Sequence, residues 1–357
     1  MHLAIVGIRG IPNNYGGFET LAEYLVEYLA MDMEITVFCS SKDMDSSLSS
    51  YKGANLKYIP LSSHGASGIL YDSIALIKAV TTYDKVLLLG FGGGFVMPLL
   101  QGYRSKIILN IGGLDWKRNK WSPFQQRVIK SAEWLLMKYC GQVVSDNKGI
   151  QDYISNTYGR QSTLIAYGAD QAERQPVDLE SIKEYPFLSG AYAFSVNRIQ
   201  PDNNIDMILS AFSKRPDIAF VMVGNWTDSE YGIKTRIAYS KFRNLHLLDA
   251  IYDRRRLDIL RSNCQFYIHG HSAGGTNPSL VEAMYLGLPV FAFASGYNEY
   301  TTEYNALYFK DLAGLERLIE TRDEEELKLM GSRLERIARE LYLWKVVARA
   351  YKGLILG

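Results

Sequence analysis

Short apolar runs recur along the chain, each followed by a glycine-rich or polar loop and then by a segment with helical spacing of its apolar positions. Residues 2–7 (HLAIVG) predict a strand, the loop IRGIPNNYGGFET follows, and a helix is predicted from about residue 18 to 30 before a second strand over 33–39. This β-α-β opening implies a parallel sheet with a ligand crevice at the strand ends. The alternation continues through a strand at 84–89 with glycines at 90 and 92–94, a strand at 106–111, a helix from about 122 to 139, and strands at 142–145 and 162–166. Residues 171–190 are polar and Pro-containing and read as a linker. Strands are then predicted at 191–196, 219–223, 246–248 and 266–269, with helices after Asn203-Asn204, near 231–242 and over 253–262. The tail reads as helix over 323–340 and 341–354. The pattern is that of an α/β chain with two doubly wound parallel sheets, one in residues 1–170 and one in 191–340.

The stretch 269–289, HGHSAGGTNPSLVEAMYLGLP, predicts strand end, turn, helix and the start of another strand. Asn277 is a good N-cap and Pro278 a good first helical residue. The amides of Gly274, Gly275 and Thr276, with the helix N-terminus around Ser279, suit an anion, and Glu282 lies one turn further on, facing the same mouth. A diphosphate at the amides and a polyhydroxyl group at the carboxylate would fit. The alternative is a well-capped turn with an exposed glutamate. Near the N-terminus the spacing Gly7, Gly10, Gly16-Gly17 is not GxGxxG, and the second strand ends in Cys39-Ser40-Ser41 where an acidic ribose ligand would be expected. A nicotinamide enzyme is therefore disfavoured.

Length and charge narrow the classes further. A chain of 357 residues exceeds the usual size of one core, so two domains are expected. With 39 basic and 38 acidic residues the net charge is +1, which excludes a chain-wide nucleic-acid binder. The local exception is 116–138, where Lys117, Arg118, Lys120, Arg127, Lys130 and Lys138 are interleaved with Trp116, Trp121 and Trp134. That mix suits an anionic membrane surface, or else a core-facing helix with a solvated basic face. Cys39, Cys140 and Cys264 form no CxxC pair, and His269 and His271 have no partners at zinc-site spacing, so a reduced cytosolic protein is expected. No leader-like segment opens the chain, and no run reaches the length of a membrane span.

The motifs GIRGIPNNYGGFET, NIGGLDWKRNKW, IAYGAD, NRIQPDNNIDMIL and IHGHSAGGTNPSLVEAM, in this order over the whole chain, resemble the GT-B glycosyltransferases of the retaining family 4 type. More narrowly they resemble the subgroup containing bacterial rhamnosyltransferases of capsule and cell-wall polysaccharide assembly. The resemblance implies two Rossmann-like domains facing a central cleft, with helix 341–357 packing back on the first. It implies a dTDP- or UDP-linked sugar donor held by the second domain, no cofactor and no metal. The Asp43-Met44-Asp45 triplet falls in the half away from the expected donor site. Arg198 is the expected partner of the diphosphate, and Glu282 of the ribose hydroxyls. Two positions depart from the family pattern: Asn203 stands where a lysine is common, and Gly274 where the first of two glutamates is usual. Losing that carboxylate fits a 6-deoxy sugar or an altered hydroxyl pattern. Gly16 and Gly17 are expected to let a phosphate or the acceptor approach the backbone, and Ile251-Tyr252 to hold the base. Asp115 would orient or deprotonate the acceptor hydroxyl, or simply pair with Lys117 or Arg118; Asp146 and Asn147 share that ambiguity. The implied acceptor is a lipid-linked or growing glycan at the cytoplasmic leaflet. The rival readings are a GT-B sugar-nucleotide epimerase and a non-catalytic binding module.

Overall fold

The computed structural model describes residues 1–12, 16–117 and 121–357. Residues 13–15 of the first glycine loop, and Arg118, Asn119 and Lys120 of the basic segment, lie outside the described residues. The chain divides into two compact units, 1–167 with 344–357, and 168–343.

In the first unit the described residues form an eight-stranded sheet. Its strands are β1 (His2–Val6), β2 (Glu34–Ser40), β3 (Ser50–Tyr51), β4 (Ala54–Ile59), β5 (Lys85–Leu89), β6 (Ile107–Asn110), β7 (Gln142–Ser145) and β8 (Thr163–Leu164), in the order β3-β4-β2-β1-β5-β6-β7-β8. Every pairing is parallel except β3 with β4. The central strand β1 pairs Ile5 with both Val37 and Leu87 and is buried on both faces, as its unbroken apolar run requires. Helices α1 (Gly17–Leu29), α2 (Gly65–Thr82), α3 (Pro123–Tyr139) and α4 (Lys148–Tyr158) cover the sheet, with a 3-10 segment over Gly94–Lys106. The last helix, Trp344–Leu356, also belongs here. Its Trp344 ring stacks on Tyr24 of α1 at 4.3 Å, and its Tyr351 hydroxyl accepts from Asn110 Nδ2 at 2.6 Å.

The second unit holds a parallel sheet of β9 (Tyr192–Val196), β10 (Ala219–Val223), β11 (Leu245–Leu248), β12 (Phe266–His269), β13 (Val290–Phe293) and β14 (Leu307–Phe309), in the order β11-β10-β9-β12-β13-β14. Residues 171–190, read as linker from the sequence, lie inside this unit and include α5 (Leu179–Glu184). The other helices are α6 (Ile205–Ser213), α7 (Glu230–Tyr239), α8 (Arg254–Ser262), α9 (Pro278–Tyr285), α10 (Tyr297–Thr301), α11 (Leu312–Thr321) and α12 (Glu324–Leu341). A core of stacked rings, Phe220, Phe212, Phe266 and Phe291, ties α6 to the sheet.

Candidate functional site

In a doubly wound sheet the ligand crevice opens where the strand order reverses. In the second unit the chain runs outward from β9 to β10 and β11, then returns to lay β12 on the other side of β9. The loops leaving β9 and β12 are therefore neighbours, and side chains stitch them together. Asn204 Nδ2 donates to the Gly270 carbonyl at 2.8 Å, Ser272 donates to the Asp202 carbonyl through both its amide and its hydroxyl, and Asn203 Oδ1 lies 2.8 Å from His271 Nδ1. A Cβ at Gly270 would sit 2.1 Å from the Asn203 carbonyl oxygen, so only glycine permits this approach.

These two loops carry most of the residues singled out in the second half of the sequence. Arg198 leaves the end of β9 with its side chain exposed, and no described residue pairs with its guanidinium. Gly274 and Gly275 take positive φ, 49° and 82°, in the turn after β12. Asn277 caps α9, accepting from the Ser279 amide at 3.0 Å and its hydroxyl at 2.8 Å, and Pro278 is the first helical residue. Asn203, at the family's lysine position, is buried and donates to the Arg198 carbonyl at 2.7 Å, so it fixes the backbone that presents Arg198. His269 is fully buried; burial, and then its neighbour His271, push the imidazole well below its ordinary range, keeping it neutral. Ile251 and Tyr252 lie in the loop before α8 at the same edge of the sheet. Tyr252 is 72% exposed.

Glu282 differs from expectation. Its carboxylate is already engaged: Oε2 accepts from Arg261 Nη1 and Oε1 from Gln171 Nε2. Arg261 is 2% exposed and gives its Nη2 to Asp258 Oδ1 at 2.6 Å, while Asp258 Oδ2 takes the Glu173 amide at 3.0 Å. Burial alone would lower the Arg261 pKa, but the two carboxylates hold it above the ordinary value. Burial raises the Asp258 carboxyl, and Arg261 offsets part of that rise. Glu282 is thus oriented by a buried guanidinium and by a glutamine from the segment that enters this unit. Neither partner was found from the sequence. Arg261 lies on a different helix from Glu282, and Gln171 lies 111 residues away from it.

The first unit has the same topology. Its strand order reverses between β1 and β5. Gly7 ends β1 with φ 90°, and a Cβ there would lie 2.1 Å from the Leu89 carbonyl oxygen. Gly16, at φ 114°, precedes α1, and Gly17 is its first residue. Around this mouth stand four titratable side chains that sequence reasoning passed over. Glu19 Oε1 accepts from the Arg9 amide at 3.1 Å, and Arg9 Nη2 lies 3.0 Å from His64 Nε2. Burial raises the Glu19 carboxyl, partly countered by the Arg9 amide. Asp72, on α2, faces Gly92 so closely that a Cβ there would sit 1.7 Å from Oδ2, and burial pushes its carboxyl up to about 7. Asp115 opens a 3-10 turn, Asp115–Lys117, after β6 and is half-buried; Lys117 sits 5.5 Å over the Trp116 ring. Asn147 caps α4, accepting from the Gly149 amide at 2.8 Å, a structural role. Burial would raise the Asp43 carboxyl, but hydrogen bonds from Ser63, Ser62 and Ser40 hold it at about 2.

Two family models match the sequence. Residues 1–170 match a domain of unknown function (DUF1972), and residues 180–311 match the glycosyl transferases group 1. No curated protein matches the sequence. Among solved structures, sucrose-phosphate synthase from Thermosynechococcus elongatus superposes with a TM-score of 0.82 at 17% identity, covering 99% of this chain and 98% of that one. HepE of Anabaena, solved with UDP and glucose, gives 0.76 at 15%, covering 99% of each chain. WaaG, a glycosyltransferase involved in lipopolysaccharide biosynthesis, gives 0.75 at 13%, covering 99% and 100%. The chain has the GT-B fold, and with its group 1 domain it is a glycosyltransferase.

Proposed function

We propose that this glycosyltransferase moves a sugar from a dTDP- or UDP-linked donor to a hydroxyl of a lipid-linked or growing glycan, with retention at the anomeric carbon. Rhamnose suits the site best, and cell-surface polysaccharide assembly at the inner face of the membrane is the setting. The observation that carries this reading is the stitched pair of loops at the β9/β12 reversal. It joins the loop that carries Arg198 to the loop whose glycine turn, Gly274-Gly275, runs into a capped helix N-terminus. A diphosphate is the ligand whose charge and size match an arginine and a helix N-terminus together.

As the glycosidic bond breaks, negative charge grows on the β-phosphate, and Arg198 with the amides of Gly274, Gly275 and Thr276 would meet it without a metal. Glu282, oriented by Arg261 and Gln171, would accept from the ribose hydroxyls, and Ile251-Tyr252 would hold the base by backbone contact and stacking. Gly274 lacks the carboxylate that a fully hydroxylated sugar would use, which favours a 6-deoxy sugar. In the first unit Gly16, Gly17 and Asp115 would receive the acceptor, Asp115 orienting its hydroxyl. The relatives support the donor class: HepE was solved with UDP and glucose, and a trehalose-6-phosphate protein of E. coli, 11% identical, with UDP-2-fluoro glucose.

The test is nucleotide release from dTDP-, UDP- and GDP-sugars, with and without membrane extract containing lipid-linked acceptors. Release that rises only when acceptor is present supports transfer. Release or sugar conversion that ignores the acceptor would replace the reading with a hydrolase or an epimerase.

A further inference from the structure

Near-neutrality of the whole chain conceals one strongly basic stretch. Residues 85–139 contain nine Lys and Arg against two acidic residues, Asp115 and Glu133. Glu133 is fully buried, engaged by Lys130, Tyr153 and Tyr158, and subtracts nothing from the outer surface beyond neutralising Lys130.

Topology gathers this stretch onto one layer. The crossovers from β4 to β5, β5 to β6 and β6 to β7 all step the same way across the sheet, so right-handed connection places α2, the segment Gly94–Lys106 and α3 on the same face. Both α2 and α3 pack against that segment, whereas α1 packs on the last helix.

The outer surface of the layer is apolar as well as basic. Along α3 the exposed positions are Pro123, Phe124, Gln125, Arg127, Ser131, Trp134 and Lys138, and beyond the first turn they form a single stripe at helical spacing. Phe124 is 73% exposed and Trp134 49%, so these rings face outward beside the basic side chains. The Lys138 ammonium lies 4.9 Å over the Trp134 ring. Leu99, at the next element, is 81% exposed, Phe95 four residues earlier is exposed too, and α2 turns out Leu70, Ile74 and Ile77. A shallow concavity of about 720 Å³ opens on the stripe, lined by Lys130, Ser131, Trp134, Leu135, Thr157 and Tyr158.

We propose that this layer is a docking surface for an anionic lipid bilayer. Its leucine and aromatic tips enter the headgroup region, its basic side chains pair with lipid phosphates, and the largely apolar concavity lodges the apolar part of one lipid. The chemistry selects lipid over nucleic acid: a polyphosphate backbone would satisfy the arginines and lysines but leave Leu99 and Phe124 bare, while a bilayer satisfies both. The inference deepens the proposed lipid-linked acceptor and rests on that reading for its purpose, although lipid binding itself requires no transfer.

The full chain is sedimented with vesicles of phosphatidylcholine containing phosphatidylglycerol and with phosphatidylcholine alone, over a range of salt. It binds the anionic vesicles, and binding weakens as salt screens the surface charge. Arg127→Ser with Lys138→Ser lowers partition by about tenfold. Leu99→Ser with Phe124→Ser lowers it by about tenfold or more at every salt concentration. Because all four side chains are exposed, unchanged thermal unfolding shows that the variants remain folded. Absence of binding to anionic vesicles at low salt overturns the proposal. So does binding by both double variants equal to wild type, or a preference for nucleic acid over the vesicles. Transfer to a short soluble acceptor is measured on the same samples. Vesicle binding without any transfer counts against the proposed function and leaves the surface standing; transfer without vesicle binding does the reverse.

Discussion

Arg261 and Glu282 meet as a buried guanidinium and a half-buried carboxylate, and Asp258 holds the other side of the same guanidinium at 2.6 Å. Two negative charges thus share one positive charge. Removing the arginine leaves both carboxylates uncompensated, whereas removing Glu282 leaves a balanced Arg261–Asp258 pair. Arg261→Met should therefore lower the unfolding free energy by about 3 to 5 kcal/mol, and Glu282→Ala by only about 1 kcal/mol. The same Glu282→Ala protein should bind the nucleoside diphosphate more weakly by about 1.5 to 3 kcal/mol. Urea denaturation and titration calorimetry read the two effects separately. Unchanged nucleotide affinity in the folded variant would remove Glu282 from the donor site.

Arg198→Ala should reduce turnover more than it weakens binding of the intact donor, because the charge it meets grows during bond breakage. Lysine should restore part of the activity, since it brings charge without the planar fork. Steady-state kinetics beside donor affinity measure this. Wild-type turnover in the alanine variant would refute the role.

Asn203 occupies the position where the family often has lysine, yet restoring lysine should not help. The site is buried, and the asparagine is held by the Arg198 carbonyl and His271. Asn203→Lys should lose both bonds and bury an unpaired charge, lowering stability by about 2 kcal/mol or more. A thermal melt equal to that of the wild type, together with tighter donor binding, would show that the loop reopens to present the new ammonium.

Asp72 gives a pH dependence. Its carboxyl titrates at about 7 in the folded chain against 3.8 as its reference value. A raised pKa means that its contribution to stability is complete below about pH 4 and is lost as pH rises towards 7, where the folded state is made to ionise a partly desolvated carboxyl. Asp72→Asn should match wild type at pH 4 and exceed it at pH 8 by about 1 to 2 kcal/mol, short of the full shift because the half-buried group is partly screened. Denaturation midpoints across that range settle it; parallel pH profiles would mean that Asp72 ionises freely.

What was legible in the sequence had local causes. β1, β2 and β12 announce themselves as apolar runs closed by glycine or polar turns, and the start of α9 is written in Asn277-Pro278. The region of β4 and α2 was not assigned. In α2 apolar residues fall on most sides, since Leu70, Ile74 and Ile77 face outward while Tyr71, Ala75 and Leu76 face inward, so the amphipathic contrast that marks a helix is blurred. The loops after β9 and β12 were visible as motifs, but their stitching through Asn203, Asn204 and Ser272 was not. The grip of Arg261 and Gln171 on Glu282 depends on tertiary register, which no spacing rule reports. The first glycine loop was read correctly as lying at a strand end, while the contacts of Arg9 with Glu19 and His64, and of Asp72 with Gly92, depend on tertiary register.

The helix Trp344–Leu356 completes a unit whose sheet begins at His2. During synthesis, therefore, the first unit to emerge is the last to be finished. Asn110 waits for Tyr351 across 241 positions, about 10 to 50 seconds at ordinary elongation rates. The second unit is contiguous and can close on itself in that interval. Until then, the face of α1 that later receives Trp344 stays open to water and to chaperones, which makes the final helix the step that commits the nascent chain to its folded form.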